Sequence, residues 1–165
     1  MGKVLYVVRH GKASAKQPGE KDRDRMLDAV GLRQSKQLGL YLYNKNANIS
    51  AIVCSPAKRA LQTAEQLADQ LDYNLAKIVC DEDLYEASVR IVLEKVQAFV
   101  DDWQEVVMVG HNPVLSYFVE YVTGFHFDGL EAGSAVRIDC KVEKWIDLAG
   151  KSTSFEQYIS PLDFE

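Results

Sequence analysis

Cysteine and histidine are scarce in this chain, three of each in 165 residues, and proline occurs four times. Cys54, Cys80 and Cys140 are odd in number and far apart, so no disulfide framework is readable. Neither CxxC nor HExxH occurs, which removes the sequence signatures of zinc sites. No metal and no cofactor are expected, and the cysteines read as reduced, partly buried packing residues of a cytoplasmic protein. Apolar runs are short. None approaches the roughly 18 residues of a membrane span, and Val4–Val8 is too brief for a signal peptide. Positive charge is in deficit, 19 Lys and Arg against 24 Asp and Glu. A net charge of −5 speaks against a broad nucleic-acid or anionic-membrane surface. There is no internal repeat, low-complexity tract or linker, so residues 1–165 read as one domain. Oligomeric state is not legible.

What is present is an alternation of apolar runs and helical patterns. Residues 3–8 read as a strand buried on both faces, and 14–25 as a polar surface loop. Asp28 is placed to cap a helix carrying Leu32, Leu38, Leu40, Tyr41 and Leu42 toward the core and fraying near 44–48. Residues 49–54 form the next strand; Ser55-Pro56 offers a cap and first-turn proline for a helix to Leu71. A short strand at 77–80, an acidic loop at 81–87 and a helix capped by Ser88 follow. Residues 105–109 form a strand, and Pro113 opens an apolar helix ending at Thr123-Gly124, with Tyr117, Phe118 and Tyr121 read as core. Strands are expected at 134–140 and 155–159, with 145–148 a further candidate. This order predicts a three-layer α/β/α sandwich, mostly parallel, with an antiparallel strand near one edge.

Two of the three histidines fall where a strand hands over to a helix. Val4–Val8 runs into Arg9-His10-Gly11, and Val106–Gly110 into His111-Asn112-Pro113. Ligands of open α/β sheets bind at such carboxyl ends. A third junction supplies Ser55, with Arg59 one turn inside its helix. If the strands are neighbours, two guanidiniums and two imidazoles share one rim, close to a helix N-terminus. That set suits a tetrahedral dianion, because guanidinium presents a fixed fork of donors to phosphate oxygens. Neighbouring cations are expected to keep His10 unprotonated. Gly11 allows close backbone approach to a ligand, and Lys12 and Ser14 lie close enough in sequence to touch substrate. Asn112 either braces its loop or binds phosphate. Arg25 is expected to pair with Asp22, Asp24 or Asp28, Lys58 to be exposed, and His126 to be structural or solvent-facing.

Taken in order, Arg9-His10-Gly11, Arg25-x-Leu27-x-x-x-Gly31, Ser55-Pro56-x-x-Arg59-Ala60-x-Gln62-Thr63 and Gly110-His111-Asn112-Pro113 resemble the histidine phosphatase superfamily. The likeness runs from residue 4 to about 140; short length and Gly133-Ser134-Ala135 are similar to its small phosphohistidine phosphatase branch, the SixA type. The resemblance implies a phosphoglycerate mutase-like fold and His10 as nucleophile, with Arg9, Arg59 and His111 holding the phosphoryl oxygens. It implies no metal, and as partner a phosphohistidine-bearing protein or a small phosphorylated substrate. Glu86 is the carboxylate carried over to the pocket, while the larger members' Trp-Glu-Gly-like segment is absent. An alkoxide leaving group needs a proton donor, worth about 10²–10⁴-fold; an imidazole needs far less, which favours phosphohistidine. The alternatives are a broad-specificity phosphomonoesterase using Glu86 or Asp83 as acid, and an idle phosphoprotein-binding module.

Overall fold

The computed structural model describes residues 2–164. In chain order the elements are β1 (Lys3–Arg9), α1 (Ala29–Asn44), β2 (Ala51–Cys54), α2 (Lys58–Gln70) and β3 (Val79–Cys80). They continue with α3 (Val89–Gln97), β4 (Glu105–Gly110), α4 (Val114–Thr123), β5 (Ala135–Cys140) and β6 (Thr153–Ile159). The six strands make one sheet in the order β3-β2-β4-β1-β5-β6. β1 to β4 are parallel, whereas β5 runs antiparallel to both β1 and β6. One reversed strand near an edge is the arrangement expected.

The period of two along each strand divides the core into layers. Leu5, Val7, Val106 and Met108 face α3 and α4, packing on Val92, Val96, Leu115 and Phe118. Tyr6, Val8, Val107 and Val109 face the other way, onto Leu38, Leu42, Ala60 and Ala64 of α1 and α2. α1 leaves β1 on one face and α4 leaves β4 on the other, although β1 and β4 are hydrogen-bonded neighbours. That divergence opens a crevice at their carboxyl ends. The ladder continues into it, because the His10 amide donates to the Gly110 carbonyl at 3.1 Å.

Several elements differ from the sequence reading. α2 begins at Lys58, with Ala57 at the cap, because the Ser55 hydroxyl accepts the Ala57 amide at 3.2 Å and holds Ser55-Pro56-Ala57 in a turn. Arg59 therefore lies in the first turn rather than one turn in. In α1 the inner face is Gly31, Ser35, Leu38, Gly39 and Leu42, so Leu32 and Leu40 point outward. In α4, Phe118 is buried while Tyr117 and Tyr121, one turn apart on the opposite face, are 60% and 68% exposed. Residues 145–147 form a helical turn instead of a strand. There the Trp145 ring is buried and its indole N–H donates to the Trp103 carbonyl at 2.9 Å. Cys80 is exposed because β3 is a two-residue edge strand.

Backbone contact between two glycines closes the loop after β1. A Cβ on Gly11 would lie 2.6 Å from the Gly31 carbonyl oxygen, and one on Gly31 would lie 2.1 Å from that of Lys12. Gly31→Ala is expected to lower stability by roughly 1–3 kcal/mol, the cost of overpacking. Gly150→Ala, whose Cβ would meet only the Val122 carbonyl at 3.5 Å, is expected to change little. Urea unfolding of the two variants checks this, and equal midpoints would contradict the contact.

Candidate active site

β1 and β4 deliver the two imidazoles to one crevice, their ring centroids 5.2 Å apart in an edge-to-face arrangement. His10 Nδ1 lies 2.7 Å from the Gly11 carbonyl oxygen. A carbonyl can only accept, so the proton resides on Nδ1 and the lone pair on Nε2. The Arg59 Nε–H donates toward that lone pair at 3.3 Å. Across the crevice, His111 Nε2 and the Ser55 hydroxyl share a hydrogen bond of 2.7 Å. Both rings are held neutral. The His10 pKa is pushed down to about 4, first by burial and then by Arg59, Arg9 and Arg25. That of His111 falls to about 3, first by burial and then by His10 and Arg59. The cationic neighbours expected from sequence contribute, but loss of water is the larger cause.

Arg59 is only 8% exposed, and its guanidinium reaches three acceptors. Besides His10, these are the Asp22 carbonyl at 2.7 Å and the Asp22 carboxylate at 3.0 Å. That carboxylate also accepts from the Tyr85 hydroxyl at 2.7 Å and from Arg25 Nη1 at 3.1 Å. The Tyr85 hydroxyl and the two guanidiniums hold the Asp22 carboxyl well below the usual carboxylate range, so it stays ionised. Arg9 donates through Nη1 to the Leu130 carbonyl at 2.9 Å, which also accepts from the Asn112 amide at 2.8 Å. Arg9 Nε is, among the described residues, a buried donor without a protein acceptor. An unpaired buried donor is costly, and a ligand oxygen would satisfy it.

Together Arg9, His10, Asp22, Arg25, Arg59, Tyr85, Glu86, His111 and Asn112 line a cavity of about 330 Å³. The structure thus brings together the residues read as catalytic, Arg9, His10, Arg59, His111 and Glu86. Glu86 sits there exposed, in the left-handed region at φ 58°, a conformation that favours glycine. Gly11, Lys12 and Ser14 are not brought to the cavity wall. Gly11 packs on Gly31, Lys12 pairs with Asp28 at 3.8 Å, and the Ser14 carbonyl accepts from Arg25 Nε. Asn112 lines the cavity, but its amide nitrogen is spent on Leu130 and its oxygen accepts from Ser116 at 2.9 Å. Arg25 pairs with Asp22 as expected and also lines the cavity. Lys58 is exposed beside Asp24, and His126 is exposed against Glu120. Asp83 is outside the cavity, bound to Lys95 at 2.7 Å. Asp22 and Tyr85 were not foreseen; the sequence offered only adjacency, three residues before Arg25 and next to Glu86. Among the described residues, no group of three or more His, Cys, Asp or Glu side chains could hold a metal ion, and no helix is long and apolar enough to cross a membrane.

The family model of the histidine phosphatase superfamily (branch 1) matches residues 5–95. The chain belongs to that superfamily. An uncharacterized protein of Mycobacterium tuberculosis is 31% identical over 134 residues, 81% of this chain and 80% of that one. Phosphohistidine phosphatase SixA of Escherichia coli is 27% identical over 116 residues, covering 70% and 71%. Among solved structures, the protein histidine phosphatase SixA complexed with tungstate superposes with a TM-score of 0.82 at 20% identity, covering 98% and 99%. Mycobacterial glucosyl-3-phosphoglycerate phosphatase gives 0.70 at 13% identity, covering 97% and 100%. The phosphoglycerate mutase-like fold is therefore established for this chain, and members of the family are phosphatases.

In this histidine phosphatase fold the two imidazoles are expected to remain neutral well below the usual range. A ¹⁵N NMR titration is expected to show His10 with Nδ1 protonated and Nε2 bare at pH 7, gaining charge only near pH 4. Protonation of either ring at its ordinary value near 6.5 would contradict the burial of the site.

Proposed function

We propose that this chain removes phosphate from histidine-phosphorylated proteins by way of a phosphohistidine on its own His10. The observation that carries the reading is that the Asp22 carboxylate in the site already accepts from a hydroxyl and two guanidiniums. Asp22 is held charged by the Tyr85 hydroxyl, Arg25 and Arg59, so it has no proton to give a leaving group. Glu86 is the other carboxylate at the cavity, and it is exposed. A phosphorylated imidazole that carries a proton on its other nitrogen departs as a neutral ring and needs no such donor. The names of the SixA relatives point the same way.

His10 Nε2 attacks phosphorus in line with the substrate P–N bond. The new P–Nε2 bond forms as the old bond breaks, and the substrate imidazole keeps the electron pair. Charge on the three equatorial oxygens is met by Arg9, Arg59 and the Nδ1 proton of His111, whose Nε2 accepts from the Ser55 hydroxyl, with Arg9 Nε gaining its missing acceptor. The start of α2 adds a favourable dipole. Phosphoryl transfer is catalysed chiefly by such positioning and electrostatic stabilisation, so these residues need no metal to perform it. Water then displaces phosphate from Nε2 and His10 regains its lone pair. Localisation in the cytoplasm, action as a single domain and freedom from nucleic-acid and membrane partners belong to the same proposal.

A second reading rests on Glu86. Its place on the cavity wall would let it protonate an alkoxide, making the chain a phosphomonoesterase of small metabolites. Rapid quench with a ³²P-labelled phosphohistidine protein is expected to leave an acid-labile, base-stable label on His10. His10→Ala is expected to abolish turnover, and Arg59→Ala to lower kcat by about 10²–10³-fold, the worth of one transition-state donor. The acid limb of kcat/KM is expected near pH 4, because activity needs His10 neutral and is lost only as pH falls through its lowered pKa. Label on serine or cysteine, turnover of p-nitrophenyl phosphate matching that of the phosphoprotein, or turnover of an alkyl phosphate with strict dependence on Glu86, would overturn the first reading.

A further inference from the structure

Cys54 and Cys80 end neighbouring parallel strands and are direct partners in the β2–β3 register. Adjacent strands lie about 4.8 Å apart, within the Cα separation that a disulfide spans. Their side chains are on one face of the sheet, with the sulfurs 3.7 Å apart. Closing to a bond of about 2.05 Å asks for small rotations of two side chains. β3 is a two-residue edge strand with Val79 and Cys80 both exposed, so it is the part of the sheet most able to yield. The third cysteine, Cys140, is buried in β5, with β4 and β1 between it and β2.

Both thiols adjoin segments that build the site. Cys54 precedes Ser55, whose hydroxyl is bonded to His111 Nε2 and whose amide is held by the Val109 carbonyl at 3.0 Å. Cys80 precedes Asp81, whose amide donates to the Cys54 carbonyl at 2.9 Å. The Asp81 carboxylate accepts the Asp83 amide at 3.0 Å, starting the turn that leads to Tyr85 and Glu86. Drawing Cys54 and Cys80 together therefore pulls on the two segments that hold His111 and Asp22.

We propose that Cys54 and Cys80 are a redox modification site, a dithiol that peroxide converts to a disulfide and that thereby weakens oxyanion binding at the His10–His111 crevice. Cys80 is the accessible partner and reacts first. Its thiolate attacks one peroxide oxygen, the O–O bond breaks, hydroxide leaves, and the sulfur becomes a sulfenic acid. Cys54, its sulfur 3.7 Å away, attacks that sulfur as it gives up its proton. The S–S bond forms, the S–O bond breaks, and the departing hydroxide takes the thiol proton as water. In sum two thiols lose two electrons and two protons, and one peroxide becomes two waters. A dithiol reductant reaches the bond from the exposed Cys80 side at the sheet edge and reverses it.

The test uses the full chain, reduced and then treated with hydrogen peroxide, freed of peroxide, alkylated and mapped by mass spectrometry. Before alkylation the expected product is two hydrogens lighter than the reduced chain, and after unfolding and alkylation it gives a Cys54–Cys80 linked peptide and an alkylated Cys140. Its affinity for tungstate, a phosphate-shaped oxyanion, is expected to fall by roughly fivefold, at the low end of coupling between sites. Dithiothreitol is expected to restore it. Cys80→Ser and Cys54→Ala are expected to bind tungstate as the reduced parent does and not to respond to peroxide. A disulfide between two molecules, or Cys80 oxidised further while Cys54 stays free, would overturn the pair. A Cys54–Cys80 bond that leaves tungstate affinity unchanged would overturn its effect on the site. None of these readouts depends on which phosphorylated substrate the site takes.

Discussion

The ladder between β1 and β4 is the constraint on which the rest of the site depends. It pairs Val4 through Arg9 with Glu105 through Gly110 and runs on to the His10 amide. The two strands are more than ninety residues apart in sequence, yet their ends must coincide because their hydrogen bonds are in register. Helices leave them on opposite faces, so no helix fills the gap, and the side chains at positions 9, 10 and 111 gather at one crevice. Buried apolar strands on both sides make that register costly to slip, since a shift of one residue would exchange the two faces.

Within the crevice, burial treats imidazole and guanidinium differently. An imidazole can surrender its proton at moderate cost, and both rings do so, with pKa values near 4 and 3. A guanidinium keeps its charge at any accessible pH and must instead find acceptors. Arg59 finds them in Asp22, and Arg9 in the Leu130 carbonyl. The product is a neutral lone pair on His10 beside fixed positive charge, the combination a nucleophile needs when its target is a phosphoryl dianion. Asp22 belongs to this balance, since it ties the 14–25 loop to the crevice through Arg25, Arg59 and Tyr85.

The motifs legible in the sequence turn out to be mostly joints. Gln62 accepts the Leu27 amide at 2.7 Å, and Thr63 accepts the Gly11 amide at 3.0 Å, so α2 holds both loops that border the site. Gly31 allows α1 to approach the backbone of residues 11 and 12. These residues are distant in the chain, and only their order and types are visible there. Asp22 was legible only as a partner for Arg25, and Tyr85 not at all, because neither lies on a long periodic element: one is in a short turn of a polar loop, the other follows a single helical turn. Gly11, Lys12 and Ser14 are near His10 in sequence, but none of them lines the cavity.

Sequence alone determined the elements, their alternation and the arrival of an arginine and two histidines at strand ends. Hydrophobic period and strand-end chemistry are local properties, written in consecutive residues. Tertiary structure decided which ring nitrogen carries the proton, that burial outweighs charge in keeping His10 neutral, and which carboxylate meets Arg59. Those outcomes depend on distances and solvent exclusion between segments tens of residues apart, and both exist only once the sheet has closed its register.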